Sequence, residues 1–116
     1  MIIVHGNIPL KPESREEALK LAGVMATATQ NEEGCISYDF YVGLSDPNTL
    51  LVFQEWESMD ALMGHFQTQH MKSFLDGLPD LVSGEIITRR YAVQTVEEEN
   101  EKSRAEQKVE APPVIH

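Results

Sequence analysis

His65 and His70, with Trp56 shortly before them, bring proton-transfer chemistry into one stretch, Phe53 to Phe74 (FQEWESMDALMGHFQTQHMKSF). Imidazole changes charge close to neutral pH, so either ring could act as a general base or acid. On a continuous helix their spacing would set them about 140° apart, unlike the i, i+4 pair that clamps zinc from one face, so no metal site is expected from it. A helix break between them would let both rings converge on one pocket. The structural roles that compete are an exposed flank position for His65 and a core imidazole bonded to a carbonyl for His70.

These side chains need a scaffold. Ser58 stands where an N-cap would accept the first free amides, and Asp60 lies in the first turn, where the helix dipole favours it. Met59, Leu62, Met63 and Phe66 follow at i, i+3, i+4 and i+7, an apolar stripe expected to face a sheet, with His70 continuing it and His65 on its flank. The helix is expected to break near His70 and to give way to a short piece ending at Asp76-Gly77.

Upstream, Ile2 to Ile8 alternates as a strand, with Ile2, Val4, Gly6 and Ile8 on one face and Ile3, His5 and Asn7 on the other. Ser14, with Glu17 three residues on, has capping-box spacing and predicts a helix whose inner side carries Ala18, Leu21, Ala22, Met25 and Thr29. Cys35 to Val42 and Leu50 to Trp56 read as strands joined by the turn Ser45-Asp46-Pro47-Asn48, and Gly84 to Val93 as the last strand. The order β-α-β-β-α-β is the ferredoxin-like α+β arrangement, with an antiparallel sheet and both helices on one face. The first strand would be central, letting His5 and Asn7 look into the same cavity as the second helix. The face holding Ile2, Val4 and Ile8 would then need a cover from a partner chain.

The chain has 116 residues, 41% of them hydrophobic, enough for one core. A net charge of -10 argues against nucleic-acid and anionic-membrane partners, which need a basic footprint. No apolar run approaches transmembrane length, and MIIVHGNIPL reads as a strand and not as a signal peptide, so a cytoplasmic location is expected. The single cysteine, Cys35, cannot make an internal disulfide. No glycine-rich phosphate loop follows a strand, and neither flavin, nicotinamide nor metal has support. Residues 1–94 are expected to form the domain, and the polar, acidic segment 95–116 a tail.

Glu55-Trp56-Glu57-Ser58, then His65, Thr68, His70, Met71 and Lys72, with Glu32-Glu33-Gly34-Cys35 and Tyr38 upstream, resemble the antibiotic biosynthesis monooxygenase family, and most closely its bacterial quinol monooxygenases. The resemblance covers Ile2 to Tyr91. It implies a dimeric α+β barrel, closed by two sheets across a homodimer, and oxidation of a small molecule without a cofactor. It also raises haem degradation, since haem-degrading relatives place an asparagine where Asn7 stands. Their ring-distorting tryptophan, however, falls at His65 and their iron-ligand histidine at Leu75, so haem is not expected.

The resulting expectation is a cofactor-independent monooxygenase that oxidises a quinol or similar phenol, with molecular oxygen as co-substrate. His65 or His70 would be the base, Asn7 and His5 orienting partners, and Tyr38, Trp56 and Phe66 contacts for the substrate. Two alternatives stand beside it: an isomerase or tautomerase of a small oxygenated metabolite, run by the same histidine pair, and a small-molecule-binding protein without turnover.

Overall fold

Alternation in β1 (Ile2–Pro9) puts Ile2, Val4 and Ile8 on one face, where all three are buried. The computed structural model describes residues 1–99. After β1 come a short 3-10 turn, Pro12–Ser14, then α1 (Arg15–Gln30), the hairpin β2 (Cys35–Val42) and β3 (Thr49–Trp56), α2 (Met59–Phe66), α3 (Gln69–Gly77) and β4 (Ile87–Ala92). The four strands form one antiparallel sheet in the order β2-β3-β1-β4, the ferredoxin-like topology. No helix among the described residues is long and apolar enough to cross a membrane. Thr95 to Glu99 has no regular secondary structure, and the remainder of the expected tail lies outside the described residues.

Register fixes the two faces. Ile2 pairs with Trp56, Val4 with Gln54 and Ile8 with Leu50, and on the other side of β3, Tyr38 pairs with Gln54 and Phe40 with Val52. The buried members of this face pack with Ala18, Ala22 and Met25 of α1, Leu62 of α2 and Phe74 of α3 into one core. The helices therefore cover the Ile2, Val4 and Ile8 face within a single chain, which corrects the expectation that this face lacks a cover. Strand alternation tells which residues share a face, but not which face the helices take. The open face is the opposite one, carrying Ile3, His5 and Asn7 with Leu51, Phe53, Tyr41, Ile87 and Tyr91.

Two local details differ from the sequence reading. Ser14 makes no side-chain cap bond, because a 3-10 turn led by Pro12 winds directly into α1. In α2 the buried side chains are Leu62 and His65, whereas Met59, Met63 and Phe66 are substantially exposed. Eight residues make little more than two turns, so a run of methionines does not fix the phase of so short a helix.

Candidate functional site

The ring of His65 is completely buried, with Trp56 at 5.0 Å, Tyr38 at 5.5 Å, Phe66 at 5.9 Å and His70 at 5.9 Å between centroids. It belongs to the inner side of α2 and not to its flank, which corrects the exposed position considered for it. Trp56 is equally buried, and its indole N–H donates to Gln54 Oε1 at 2.9 Å, which fixes that wall of the cage.

Thr68 sets the relation between the two histidines. Its hydroxyl donates to the His65 carbonyl at 2.8 Å at the end of α2 and accepts from the Met71 amide at 3.2 Å at the start of α3. One side chain thus terminates one helix and caps the next. The break at Gln67-Thr68 falls before His70, and the angular argument from a continuous helix does not apply. His70 stands in the first turn of α3, partly exposed, and turns back toward His65.

Both imidazoles meet on Glu32. Its Oε2 lies 2.7 Å from His65 Nδ1 and 2.7 Å from His70 Nε2. A carboxylate is acceptor-only when ionised, so each facing ring nitrogen carries the proton and donates. His65 is then held as the Nδ1–H tautomer, with its lone pair on Nε2. That nitrogen is buried and has no hydrogen-bond partner. Burial pushes the His65 imidazole below its ordinary 6.5, against the opposing pull of the Glu32 hydrogen bond and charge. Burial, followed by the charge of Glu32, pushes the Tyr38 phenol well above its usual range, so Tyr38 stays a neutral hydroxyl and does not act as a base. Burial also raises the Cys35 thiol, which leaves it protonated.

Glu32 is the group that the sequence reading missed. It sits in the turn leaving α1, two residues before Gly34, whose φ of +84° lets the chain reverse into β2. A Cβ at Gly34 would lie 2.5 Å from the Ala61 Cβ, so the turn packs directly on α2 and delivers Glu32 to the histidines. Within the Glu32-Glu33-Gly34-Cys35 block, the available signal was a carboxylate placed just before a left-handed glycine.

The other candidates divide. Tyr38, Trp56 and Phe66 join His65 and His70, while His5 and Asn7 have the opposite strand parity and lie on the open sheet face, away from this cluster within the chain. Phe66 is 37% exposed, and the Arg90 guanidinium sits 5.5 Å from its ring centroid. One donor atom each from Glu32, His65 and His70 lies within 4.8 Å of the others, so these residues could converge on a metal ion.

The fold and this buried cluster define a small α+β protein with an imidazole held beneath aromatic rings. The family model for antibiotic biosynthesis monooxygenases matches residues 1–77, and the chain belongs to that family. An uncharacterized protein of Synechocystis is 39% identical over 82 residues, spanning 71% of this chain; the match covers 56% of that protein's length. Escherichia coli YgiN, named a probable quinol monooxygenase, is 28% identical over 88 residues, 67% of this chain and 85% of YgiN. A crystal structure of a conserved Methanosarcina mazei protein superposes with a TM-score of 0.77 at 29% identity, covering 80% of this chain and 92% of that one.

Proposed function

We propose that the protein is a cofactor-independent monooxygenase that oxidises a quinol or a similar phenol with molecular oxygen. The observation that carries this reading is His65 Nε2, an unpaired lone pair buried among Tyr38, Trp56 and Phe66, with a carboxylate behind the opposite ring nitrogen. Membership of the family and the name of the E. coli relative support it.

His65 Nε2 takes the phenolic proton, and the O–H electron pair stays on the substrate as a phenolate. Glu32 steadies the imidazolium that forms, as a buried carboxylate does for a catalytic histidine. The phenolate is electron-rich enough to reduce dioxygen itself. One oxygen atom bonds to a ring carbon and the other leaves as water, all four electrons coming from the substrate, which departs as a hydroxylated quinone. The protein supplies a dry cage and a base, and no electron carrier.

Nε2 is closed off from solvent, so substrate enters by displacing a wall. Phe66 is the one aromatic wall with substantial exposure, and we assign it as the gate. An isomerase that uses both imidazoles as an acid and base pair has less support, because the His70 nitrogen directed inward is occupied by Glu32.

We also read the open sheet face as the interface of a homodimer. Tyr41, Ile87 and Tyr91 are about half exposed there beside partly exposed Ile3, Leu51 and Phe53, an apolar area that one chain leaves uncovered. His5 and Asn7 belong to this interface in the reading and not to the base.

The test is oxygen uptake by purified protein on a panel of quinols, with product mass measured. Uptake coupled to a product one oxygen atom heavier than the quinone supports the reading. Conversion of a substrate without oxygen uptake favours the isomerase, and no conversion of any panel member counts against both.

A further inference from the structure

Each imidazole in this cluster has two nitrogens, and the pair facing Glu32 is a ligand set as well as a hydrogen-bonding set. We propose that Glu32, His65 and His70 bind a divalent transition-metal ion of the zinc class, through a Glu32 carboxylate oxygen, His65 Nδ1 and His70 Nε2, and that the ion switches the base off.

Two imidazole nitrogens and one carboxylate oxygen, with further positions left for water, suit zinc and its first-row neighbours. The three donors come from separate segments, the turn after α1, the last turn of α2 and the first turn of α3, and they already point at one another within 4.8 Å. An ion held at about 2.0–2.1 Å from each donor requires the 2.7 Å pairs to open by roughly half an ångström. Glu32, which lies on a turn, is the member freest to move, and the two imidazole nitrogens, within 4.8 Å of each other, must lie no more than about 4.1 Å apart in the bound state, twice the metal–nitrogen distance.

The approach is electrostatically favourable. Glu32 also lines a surface depression of about 490 Å³, together with Glu33, Glu57 and Asp60, and these carboxylates attract a divalent cation to the opening.

Binding changes which nitrogen carries the proton. A coordinating imidazole is neutral and uses its lone pair, so Nδ1 of His65 must give up its proton. The least disruptive arrangement moves that proton to Nε2 of the same ring, and His70 moves its own from Nε2 to Nδ1. No proton is gained or lost overall. His65 Nε2 then has no lone pair, and the proposed base cannot act. The switching half of the inference rests on His65 as the base; the binding half does not.

The test uses the full chain, treated with a chelator and then titrated with zinc chloride. Calorimetry should show one strong site per chain, weakened more than about tenfold by Glu32→Gln and by His70→Ala. Long-range proton–nitrogen spectra of the wild-type imidazoles give a reading that needs no variant: saturation should move the His65 proton from Nδ1 to Nε2. Absence of binding at millimolar zinc, binding that survives both substitutions, or an unchanged His65 tautomer at saturation would each overturn the site. Where a quinol is turned over, activity should fall in proportion to occupancy, and full activity in the zinc-saturated protein overturns the switch while leaving the site standing.

Discussion

Glu32 Oε2 and His65 Nδ1 meet at 2.7 Å across a separation of 33 residues, and the same oxygen receives His70 Nε2. This single carboxylate turns two histidines on different helices into one unit and determines which His65 nitrogen faces the cage.

Replacing Glu32 should therefore cost more than a surface change. In Glu32→Gln the neutral amide oxygen is a weaker partner for two N–H donors, and the expected loss is about 1–3 kcal/mol in urea denaturation. The His65 tautomer should also become mixed in imidazole spectra. A variant with wild-type stability and a single tautomer would show that Glu32 does not organise the pair.

Metal-free protein should lose stability as it is acidified below neutrality. His65 has an ordinary value of 6.5, which the unfolded chain recovers, and burial holds the folded value lower. Between those two values the unfolded state binds the proton and the folded state does not. The stability is present above pH 6.5 and is lost as pH falls toward the depressed value. Chemical denaturation of chelator-treated wild type and His65→Gln across this window should show the slope reduced in the variant. Parallel profiles would mean that His65 is not the group responsible.

Gly34→Ala places a side chain at a φ of +84° and against the Ala61 Cβ. The left-handed strain costs about 1–2 kcal/mol, and the overlap adds a packing penalty of similar size. Thermal denaturation should show a clear drop, of which Ala61→Gly in the same chain recovers part. An unchanged melting temperature in Gly34→Ala would contradict the tight turn that delivers Glu32.

Sedimentation at micromolar concentration should give a dimer, and Phe53→Asp or Tyr91→Asp on the open sheet face should release monomers. A wild-type monomer would remove the proposed interface. The choice of face matters, since Ile2, Val4 and Ile8 are already buried under the chain's own helices.

Much of the scaffold was legible in the sequence. Alternation marked the first strand, strand-forming composition and the turn at Ser45-Asp46-Pro47-Asn48 marked the hairpin, and the last strand is present but shorter, Ile87–Ala92 in place of Gly84 to Val93. Ser58 does cap α2 by accepting from the Ala61 amide at 3.1 Å, and the helix breaks between the two histidines. What failed depends on packing that periodicity does not record. The polar-looking position His65 goes fully inside while Met63 stays half exposed, because the cage supplied by Trp56 and Tyr38 lies on that side of a very short helix. His5 and Asn7 were correctly placed on one strand face, yet the helices cover the other. Glu32 stood in the block that carried the family resemblance, but its role depends on a contact with distant helices that no local pattern reveals.

Oxygen uptake by metal-free His65→Gln, compared with wild type on a quinol that the wild type oxidises, tests the central claim most directly. Glutamine can still bond to Glu32 but offers no basic nitrogen to the cage. With His65 Nε2 as the base, kcat should fall by about 10² to 10⁴ while the protein stays folded. Wild-type turnover in folded His65→Gln would contradict the account.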